Sequence, residues 1–420
     1  NQAAAPAAGE RGQIPAAAAS FVSGELLLRR AAGDGEPQWV AVAAGGHLGD
    51  REDLIAPPWC RPQIRFGAAM IRLEPNTRAV LGRDADGTPR LEVVFGRAVV
   101  WSETAELKLG LTAGGLVGRA TAAPRQPLGI KLVLDREPGT DPATSHTRRR
   151  VVMSTSEGAA SWRQTEADGA AAAKPLVGIA AQSPLAPRVA LTWDEADPGA
   201  ATVGPPGTPP AWMRGAQYGD RTEARAIKAL SERLAAGEPV QKPLQGIAES
   251  DPRMENRIAA AATLALLGDY DPAVVLLCAA MPSTQGLTEA QWTALENLTV
   301  PLALARGVNA AAKLRQAFEK RGPAGSGKAL FEMACGFSAE ELADGGDARL
   351  VEALSAEELV VRRYAIRSLL AILPPADRDR FAYRADRKPE LNREAVAWWK
   401  SRLEQGSIRR DAPPDDAAMP

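Results

Sequence analysis

The chain has 420 residues, of which 45% are hydrophobic, so it is long enough to bury the cores of roughly two to four domains. Its 50 basic and 51 acidic side chains leave a net charge of −1, which argues against a nucleic-acid binder that relies on bulk positive charge. Its three cysteines, Cys60, Cys278 and Cys335, are too few and too scattered for a disulfide framework or a zinc site, although one disulfide stays open.

Several segments have the composition of chain that does not pack into a core. Residues 1–19 are rich in Ala, Gly and Pro, and residues 166–174 resemble a loop insertion. Residues 194–210 form a Pro/Gly linker, and residues 410–420 form a polar tail. Because these segments bury too little apolar area to offset the entropy of ordering, we predict a disordered N-terminal segment, a central linker and an unstructured tail.

Short apolar runs separated by Gly-rich turns predict β-strands before the linker. The strand-like runs lie at 26–30, 39–42, 63–66, 70–73, 78–81, 91–95, 97–101, 129–137, 149–156, 160–164 and 188–193. This pattern is typical of an all-β sandwich or roll. We predict a first β domain over residues 20–124, while residues 125–193 form either a second β unit or an extension of the first.

After the linker the apolar residues recur at helical spacing. Helices are predicted at 222–235, 256–267, 272–280, 288–305, 310–320, 327–334, 347–354, 359–373 and 392–404. Short helices joined by tight turns favour an α-solenoid of helix pairs over residues 211–409. The predicted fold class is therefore multidomain, with an all-β part followed by an α-solenoid.

The N-terminal region resembles the FecR-domain family of bacterial envelope proteins. The resemblance is carried by residues 22–57 (VSGELLLRRAAGDGEPQWVAVAAGGHLGDREDLIAP) and 70–82 (MIRLEPNTRAVLG). It implies a β-rich FecR-like domain on the non-cytoplasmic side of the inner membrane. It also implies a role in signalling, because many proteins with such domains relay signals to sigma factors.

The C-terminal region is similar to the helical, HEAT-like regions that follow such domains in large bacterial envelope proteins. The similarity lies in residues 329–373, 381–386 (FAYRAD) and 395–408 (AVAWWKSRLEQGSI). It implies a HEAT-like architecture and an envelope location, and it does not imply nucleotide hydrolysis.

Residues 322–328 (GPAGSGK) have the glycine and lysine spacing of a phosphate-binding P-loop. That site requires a strand before the glycines, and a Ser or Thr hydroxyl after the lysine to bind Mg²⁺. Here residues 309–321 have a helical pattern, and Ala329 replaces the hydroxyl. We therefore interpret the segment as a helix C-cap at Gly322 followed by a short loop.

The other candidates for chemistry also lack the context they need. His47 and His146 are predicted in surface turns, with no nucleophile elbow and no cluster of metal ligands. Asp269 and Asp271 lack the spacing of a calcium loop, and we expect them to cap the next helix. We predict no enzyme activity, no catalytic residues, no cofactor and no metal site.

Two groups of residues are candidates for interaction. Arg148, Arg149 and Arg150 form a basic cluster that either contacts an anionic partner or stays solvated at a strand start. Trp398 and Trp399 lie about 100° apart on one helix, so both cannot face the same core. One of them is therefore a candidate for an inter-domain or intermolecular contact.

These observations lead us to expect a non-enzymatic structural or scaffold protein of the bacterial cell envelope, in the periplasm or otherwise outside the cytoplasm. We expect it to act through protein–protein contacts, to form a homo-oligomer and to bind no nucleic acid. Any membrane association is expected through a segment preceding Asn1. The alternative is an envelope sensor or regulator of the FecR, anti-sigma-like type.

Overall fold

The computed structural model describes residues 19–23, 25–31, 38–156, 158, 160–164, 183–214, 221–279, 286–374 and 383–408. Residues 1–18, most of the segment predicted to be disordered, lie outside this part of the chain, and Ala19 begins the first strand. The predicted insertion at 166–174 and the polar tail at 410–420 also lie outside it. Within the described ranges, strands occupy residues 19–203 (the β region) and helices follow (the helical region).

The strands run in the chain order predicted, but they are more numerous than the apolar runs. They are β1 (Ala19–Phe21), β2 (Leu28–Ala31), β3 (Gln38–Ala41), β4 (His47–Leu48), β5 (Asp53–Ala56), β6 (Gln63–Phe66), β7 (Ala69–Leu73), β8 (Thr77–Arg83), β9 (Pro89–Ser102), β10 (Leu107–Ala113), β11 (Leu116–Ala122), β12 (Leu128–Arg136), β13 (Thr147–Thr155), β14 (Ala160–Gln164), β15 (Ser183–Leu185), β16 (Ala190–Asp194) and β17 (Asp197–Val203).

One long strand, β9, belongs to two sheets. Its second half pairs with β7 and β12 in a sheet of order β4-β1-β6-β7-β9-β12-β13-β16-β17. Its first half pairs with β8 and β10 in a sheet of order β3-β2-β5-β8-β9-β10-β11-β14-β15. The β9–β10 pairing is parallel, and the other pairings are antiparallel.

Gly96 lies where β9 passes from one sheet to the other. Its φ is +96°, and a Cβ there would lie 2.5 Å from Thr77 Oγ1 and 2.7 Å from the Asn76 carbonyl oxygen. Only glycine tolerates both the positive φ and this close approach of backbone. The bend lets one strand serve both sheets.

A single hydrophobic cluster contains buried residues of both sheets, including Ile71 and Ile130 on one sheet and Leu54, Leu91 and Trp162 on the other. The two sheets therefore pack against each other across one core. Strands after residue 125 continue these same sheets, because β12 pairs with β9 and β14 pairs with β11. Of the two alternatives for residues 125–193, the strand pairing selects an extension of the first unit.

The predicted linker at 194–210 is wrong for Asp197–Val203, which forms β17. This strand pairs antiparallel with β16, with Leu191 opposite Val203 and Trp193 opposite Ala201. Among the described strands β17 has a neighbour on one side only. An edge strand tolerates proline, which is why a Pro/Gly-rich sequence can still form one here.

Within the described ranges the helical region contains the predicted helices and two more, α2 and the three-residue α8. The helices are α1 (Arg221–Arg233), α2 (Gln241–Ser250), α3 (Met254–Leu267), α4 (Asp271–Cys278), α5 (Glu289–Ala305), α6 (Val308–Arg321), α7 (Gly327–Cys335), α8 (Ala339–Glu341), α9 (Asp347–Ala353), α10 (Leu359–Ile372) and α11 (Arg393–Glu404). Short 3₁₀ turns form at Ala211–Arg214 and Pro389–Asn392, and a π turn forms at Leu342–Gly346. None of the helices in the described ranges has the length and apolar character needed to cross a bilayer.

Helix α3 is the centre of the helical packing. Its alanine-rich run from Ile258 to Leu266 is buried, and it contacts α1, α2, α4 and α5. Small side chains let neighbouring helices approach from several directions, and Gly268 ends the helix in the left-handed conformation with φ +94°. The chain then turns directly into α4.

The β and helical regions are joined by main-chain hydrogen bonds. The turn between α1 and α2 lies along β3, where Gly237 N donates to Ala41 O at 2.9 Å and Val240 N donates to Trp39 O at 2.9 Å. Trp39 and Phe95 also belong to the same hydrophobic cluster as the helices. This turn covers the edge of β3, where unpaired main-chain groups would otherwise face solvent.

Candidate functional site

A cavity of about 550 Å³, here called the cleft, lies between the two regions. The β region lines it with parts of β8, β9, β12 and β13 and the β10–β11 turn. The helical region lines it with the α3–α4 turn, the end of α5 and the first turns of α6. Ligand sites commonly lie at such junctions and have this order of size.

Arg306 lies at the end of α5, in the wall of the cleft. Its Nη1 donates to the carbonyl oxygens of Leu266 at 2.9 Å and Ala265 at 3.4 Å, and its guanidinium lies 5.4 Å from the centre of the Phe95 ring. Burial lowers the pKa of Arg306, and the nearby Arg78 acts in the same direction, while Tyr270 opposes them. A guanidinium nevertheless stays charged at any physiological pH, so Arg306 contributes a fixed positive charge.

Arg78 and Arg149 bring positive charge from the β region. Arg78 forms a two-pronged pair with Asp53, with Nε–Oδ1 at 2.8 Å and Nη2–Oδ2 at 2.6 Å. The Arg149 guanidinium is 3.8 Å from a carboxylate oxygen of Glu195. Both cations therefore line the cleft with a carboxylate already beside them.

A second cavity of about 310 Å³ adjoins the cleft. Both cavities are lined by the same four residues, Phe95, Leu132, Leu134 and Ala305. These apolar side chains therefore separate two compartments of one space between the β and helical regions.

The three arginines predicted as a basic cluster do not form one patch. Arg148 Nε pairs with Asp194 at 2.7 Å, and Arg150 Nη2 pairs with Asp135 at 3.2 Å. Their neighbour Arg149 is the member that reaches the cleft. Successive strand residues point to opposite faces, which separates Arg149 from Arg148 and Arg150.

The two adjacent tryptophans have different surroundings. Trp399 is fully buried, while Trp398 is half-buried beneath the Arg402 guanidinium at 4.9 Å from its ring. Their ring centres are 4.9 Å apart at an interplanar angle of 84°. Only Trp399 fills the core, which leaves Trp398 as the surface candidate of the pair.

The glycine-rich stretch at residues 322–328 joins two helices. It follows α6 and leads into α7, so the helix predicted before it is confirmed. A Cβ on Gly327 would lie 2.6 Å from Glu319 Cα and from the Phe318 carbonyl oxygen. This glycine lets α7 start against the backbone of α6, and Lys328 lies 3.7 Å from Glu332 on the same helix.

The cysteines and histidines stand apart from the cleft. Burial raises the pKa of the Cys278 and Cys335 thiols to about 12, and Cys60 is also buried and free. His47, predicted in a turn, begins β4 and is exposed, as is His146. No group of three metal-binding side chains occurs within the part of the chain that the structure describes.

Of the two acidic residues at the α3–α4 turn, Asp269 caps the start of α4 as predicted, because its Oδ1 accepts a hydrogen bond from Asp271 N at 3.3 Å. Asp271 has another role than the one predicted, since it is the first residue of α4 and not its N-cap. Its carboxylate accepts hydrogen bonds from Lys320 Nζ at 2.8 Å and Arg321 Nε at 3.0 Å. Burial raises the pKa of Asp271, but these two cations outweigh it and hold the pKa below its ordinary value. The carboxylate thus ties α4 to the end of α6.

Sequence patterns missed most of the cleft. Arg78, Tyr270, Arg306 and Lys313 come from distant parts of the chain and share no spacing motif. No protein-family model matches the chain, and no curated protein matches it either. The geometry of the cleft and of the junction around it therefore carries the functional argument.

Proposed function

We propose that the protein is a non-enzymatic scaffold of a bacterial cell envelope, located outside the cytoplasm, that acts through protein–protein contacts and self-assembly. In this proposal the β region is FecR-like and the helical region is a HEAT-like solenoid. The observation that supports it is the junction, where the two regions share main-chain hydrogen bonds and one hydrophobic cluster. A scaffold benefits from such a junction because it presents its surfaces in a fixed relation.

The junction is fastened at a second place, far along the chain from the α1–α2 turn. Arg136, at the end of β12, donates from Nη1 to the Cys335 carbonyl oxygen at 2.8 Å. Thr140 N donates to Glu341 Oε1 at 2.9 Å. Two separated attachments restrict hinge motion more than a single one does. This suits a scaffold, which must hold its two regions in a fixed orientation.

The charge balance also supports self-association. A net charge of −1 provides little long-range repulsion between copies. Trp398 offers a half-buried aromatic surface next to a cation, the type of residue that is enriched in protein interfaces.

The first experiment is light scattering on the native protein after size exclusion, over a range of concentrations. We expect an assembly of several copies, which Trp398→Ala weakens. Val308→Ala, which trims an exposed apolar residue on another helix, is the matched control and is expected to leave the mass unchanged. A monomer at every concentration contradicts self-assembly.

A second candidate function, an envelope sensor or regulator, is favoured by the cleft. A ligand held between two regions can alter how they contact each other. Hydrogen exchange of the Gly237 and Val240 amides, measured with and without phenyl phosphate as a probe for the cleft, separates the two functions. A sensor predicts a change in exchange at this junction, and a scaffold predicts none.

A further inference from the structure

The cleft holds two cations that form no ion pair in the described chain, although Asp53 favours the charged form of Arg306 from a distance. Within the described ranges, neither Arg306 nor Lys313 has a carboxylate oxygen within 4.0 Å. Arg306 is partly buried and is satisfied only in part, by two carbonyl oxygens and an aromatic face. Arg306 is partly removed from water, and such cations are normally paired, while the exposed Lys313 adds a second positive charge, so this wall of the cleft favours an anion.

The cleft also contains a buried hydroxyl without a partner. Tyr270 is 3% exposed, and its hydroxyl makes no hydrogen bond to any group in the described part of the chain. An unpaired buried hydroxyl is costly, and such groups in native proteins usually have a functional explanation. Tyr270 and Arg306 line the same cleft.

Part of the wall of the cleft is apolar. Phe95, Leu132 and Leu134 face the space from the β region, and Leu267 faces it from the helical region. This combination of an apolar wall with a few convergent polar groups is the usual composition of a small-molecule site. A bare inorganic ion would leave the apolar wall unused.

We propose that the cleft binds a small organic anion, in which a carboxylate or phosphate group on an apolar body contacts Arg306, Lys313 and Tyr270. Arg78 takes no direct part because Asp53 already holds its guanidinium. The exposed Glu92 lies at the same cleft. Its negative charge disfavours ligands that carry more negative charge than Arg306 and Lys313 can balance. The inference rests on neither the scaffold nor the sensor function.

Titration calorimetry at low salt tests the proposal with four probes. Benzoate and phenyl phosphate carry the two anionic groups on an aromatic body, benzyl alcohol is the neutral counterpart, and inorganic phosphate lacks the apolar body. We expect saturable binding of at least one aromatic anion, and much weaker binding of benzyl alcohol and inorganic phosphate. If only phenyl phosphate binds, the cleft recognises the phosphoryl group. If both anions bind, the cleft recognises negative charge. Failure of both aromatic anions to bind at millimolar concentration overturns the proposal.

Two variants separate the cleft from general electrostatics. Lys313→Gln removes a cation of the cleft, and Lys328→Gln removes one that pairs with Glu332 on α7. We expect Lys313→Gln to weaken binding roughly tenfold, as for loss of a charged hydrogen bond, and Lys328→Gln to have little effect. Equal effects of the two variants would show nonspecific attraction and overturn the proposal.

Tyr270→Phe is the sharpest variant because it removes only the hydroxyl. Since that hydroxyl has no partner within the described chain, its removal is expected to leave the melting temperature unchanged or raised while anion affinity falls several-fold. If the hydroxyl served only to stabilise the fold, Tyr270→Phe would lower the melting temperature and leave the anion affinity unchanged. That result contradicts a role for Tyr270 in anion binding.

Discussion

Glu341 in the helical region accepts hydrogen bonds from Thr140 in the β region, 201 residues earlier in the chain. Thr140 N lies 2.9 Å from Oε1 and 3.1 Å from Oε2, and the Thr140 hydroxyl donates to Oε1 as well. The same carboxylate accepts from Ser338 N at 2.8 Å, completing a capping box at the start of α8. One side chain therefore both caps a helix and fastens the two regions.

We predict that Glu341→Ala lowers the free energy of unfolding by about 1–3 kcal/mol, since it leaves the N–H groups of Thr140 and Ser338 without their charged acceptor. Thr140→Val, which removes the hydroxyl but keeps the main-chain donor, is expected to cost less. Urea denaturation followed by circular dichroism measures both. Equal stability of Glu341→Ala and the unchanged protein would contradict the fastening role.

The contribution of Glu341 depends on pH in a defined direction. Burial raises the pKa of Glu341, but hydrogen bonds from Thr140 and Ser338 outweigh it and bring the pKa below its ordinary value of 4.5. A folded-state pKa below the unfolded one stabilises the fold above the unfolded pKa and ceases to do so as the pH falls through the folded pKa. We therefore expect the stability difference between the unchanged protein and Glu341→Gln to be constant above about pH 5.5 and to shrink below about pH 4.5. A difference that grows on acidification contradicts this sign.

Gly96→Ala is predicted to be strongly destabilising. The added Cβ meets both a positive φ and main-chain atoms of the neighbouring strand end at 2.7 Å. We expect a loss of about 3 kcal/mol or more, from backbone strain and displacement of β8 together. Gly87→Ala is the matched control, because Gly87 also has a positive φ of +81° but has open space around it. Its expected cost is about 1–2 kcal/mol, and equal losses in urea denaturation would show that the contact at Gly96 contributes nothing.

Arg362 on α10 is predicted to hold residues 383–387 in place. It is buried, with 6% exposure, and donates to the carbonyl oxygens of Ala356 at 2.7 Å and Ala385 at 3.0 Å. Lysine has a single ammonium group and cannot span both sets of acceptors. We expect Arg362→Lys to cost about 2–4 kcal/mol and to speed hydrogen exchange around Ala385.

Arg363→Lys provides the comparison for Arg362→Lys. The neighbouring Arg363 pairs with Glu289 through Nε at 2.9 Å, and a lysine retains the charge that this pair needs. We expect a smaller loss of stability and no change in exchange around Ala385. Similar effects of the two variants would contradict a specific role for Arg362.

Periodicity predicted that strands precede helices, because strand and helix repeats differ clearly in this chain. It missed α2, whose sequence QKPLQGIAES contains both a proline and a glycine. The proline falls in the first turn, where a helix does not need its N–H, so the helix forms despite it. It missed β17 because an edge strand tolerates the Pro and Gly that usually indicate a loop.

The cleft was beyond such patterns for a physical reason. Its charged residues come from β8, β9, β13, the end of α5 and α6, and only the packing of the helical region on the β region brings them together. Sequence analysis singled out Arg149, but as part of a run of three rather than as a neighbour of Arg306. Nor does sequence indicate that Arg78 is neutralised by Asp53 while Arg306 has no such partner, since ion pairing between strands depends on register.

The adjacent tryptophans provide a last prediction, in which stability and assembly respond to different residues. Trp399→Ala removes a fully buried side chain and is expected to cost about 3–5 kcal/mol. Trp398→Ala removes a half-buried ring and its contact with Arg402, for an expected cost of about 1 kcal/mol. If Trp398 is an assembly contact, its variant shifts the mass measured by light scattering towards the monomer while the urea midpoint hardly moves. A conservative Trp398→Phe is expected to restore part of the assembly, because it keeps an aromatic face for the partner. A Trp398→Ala protein that assembles as the unchanged protein does would show that this ring only covers Trp399.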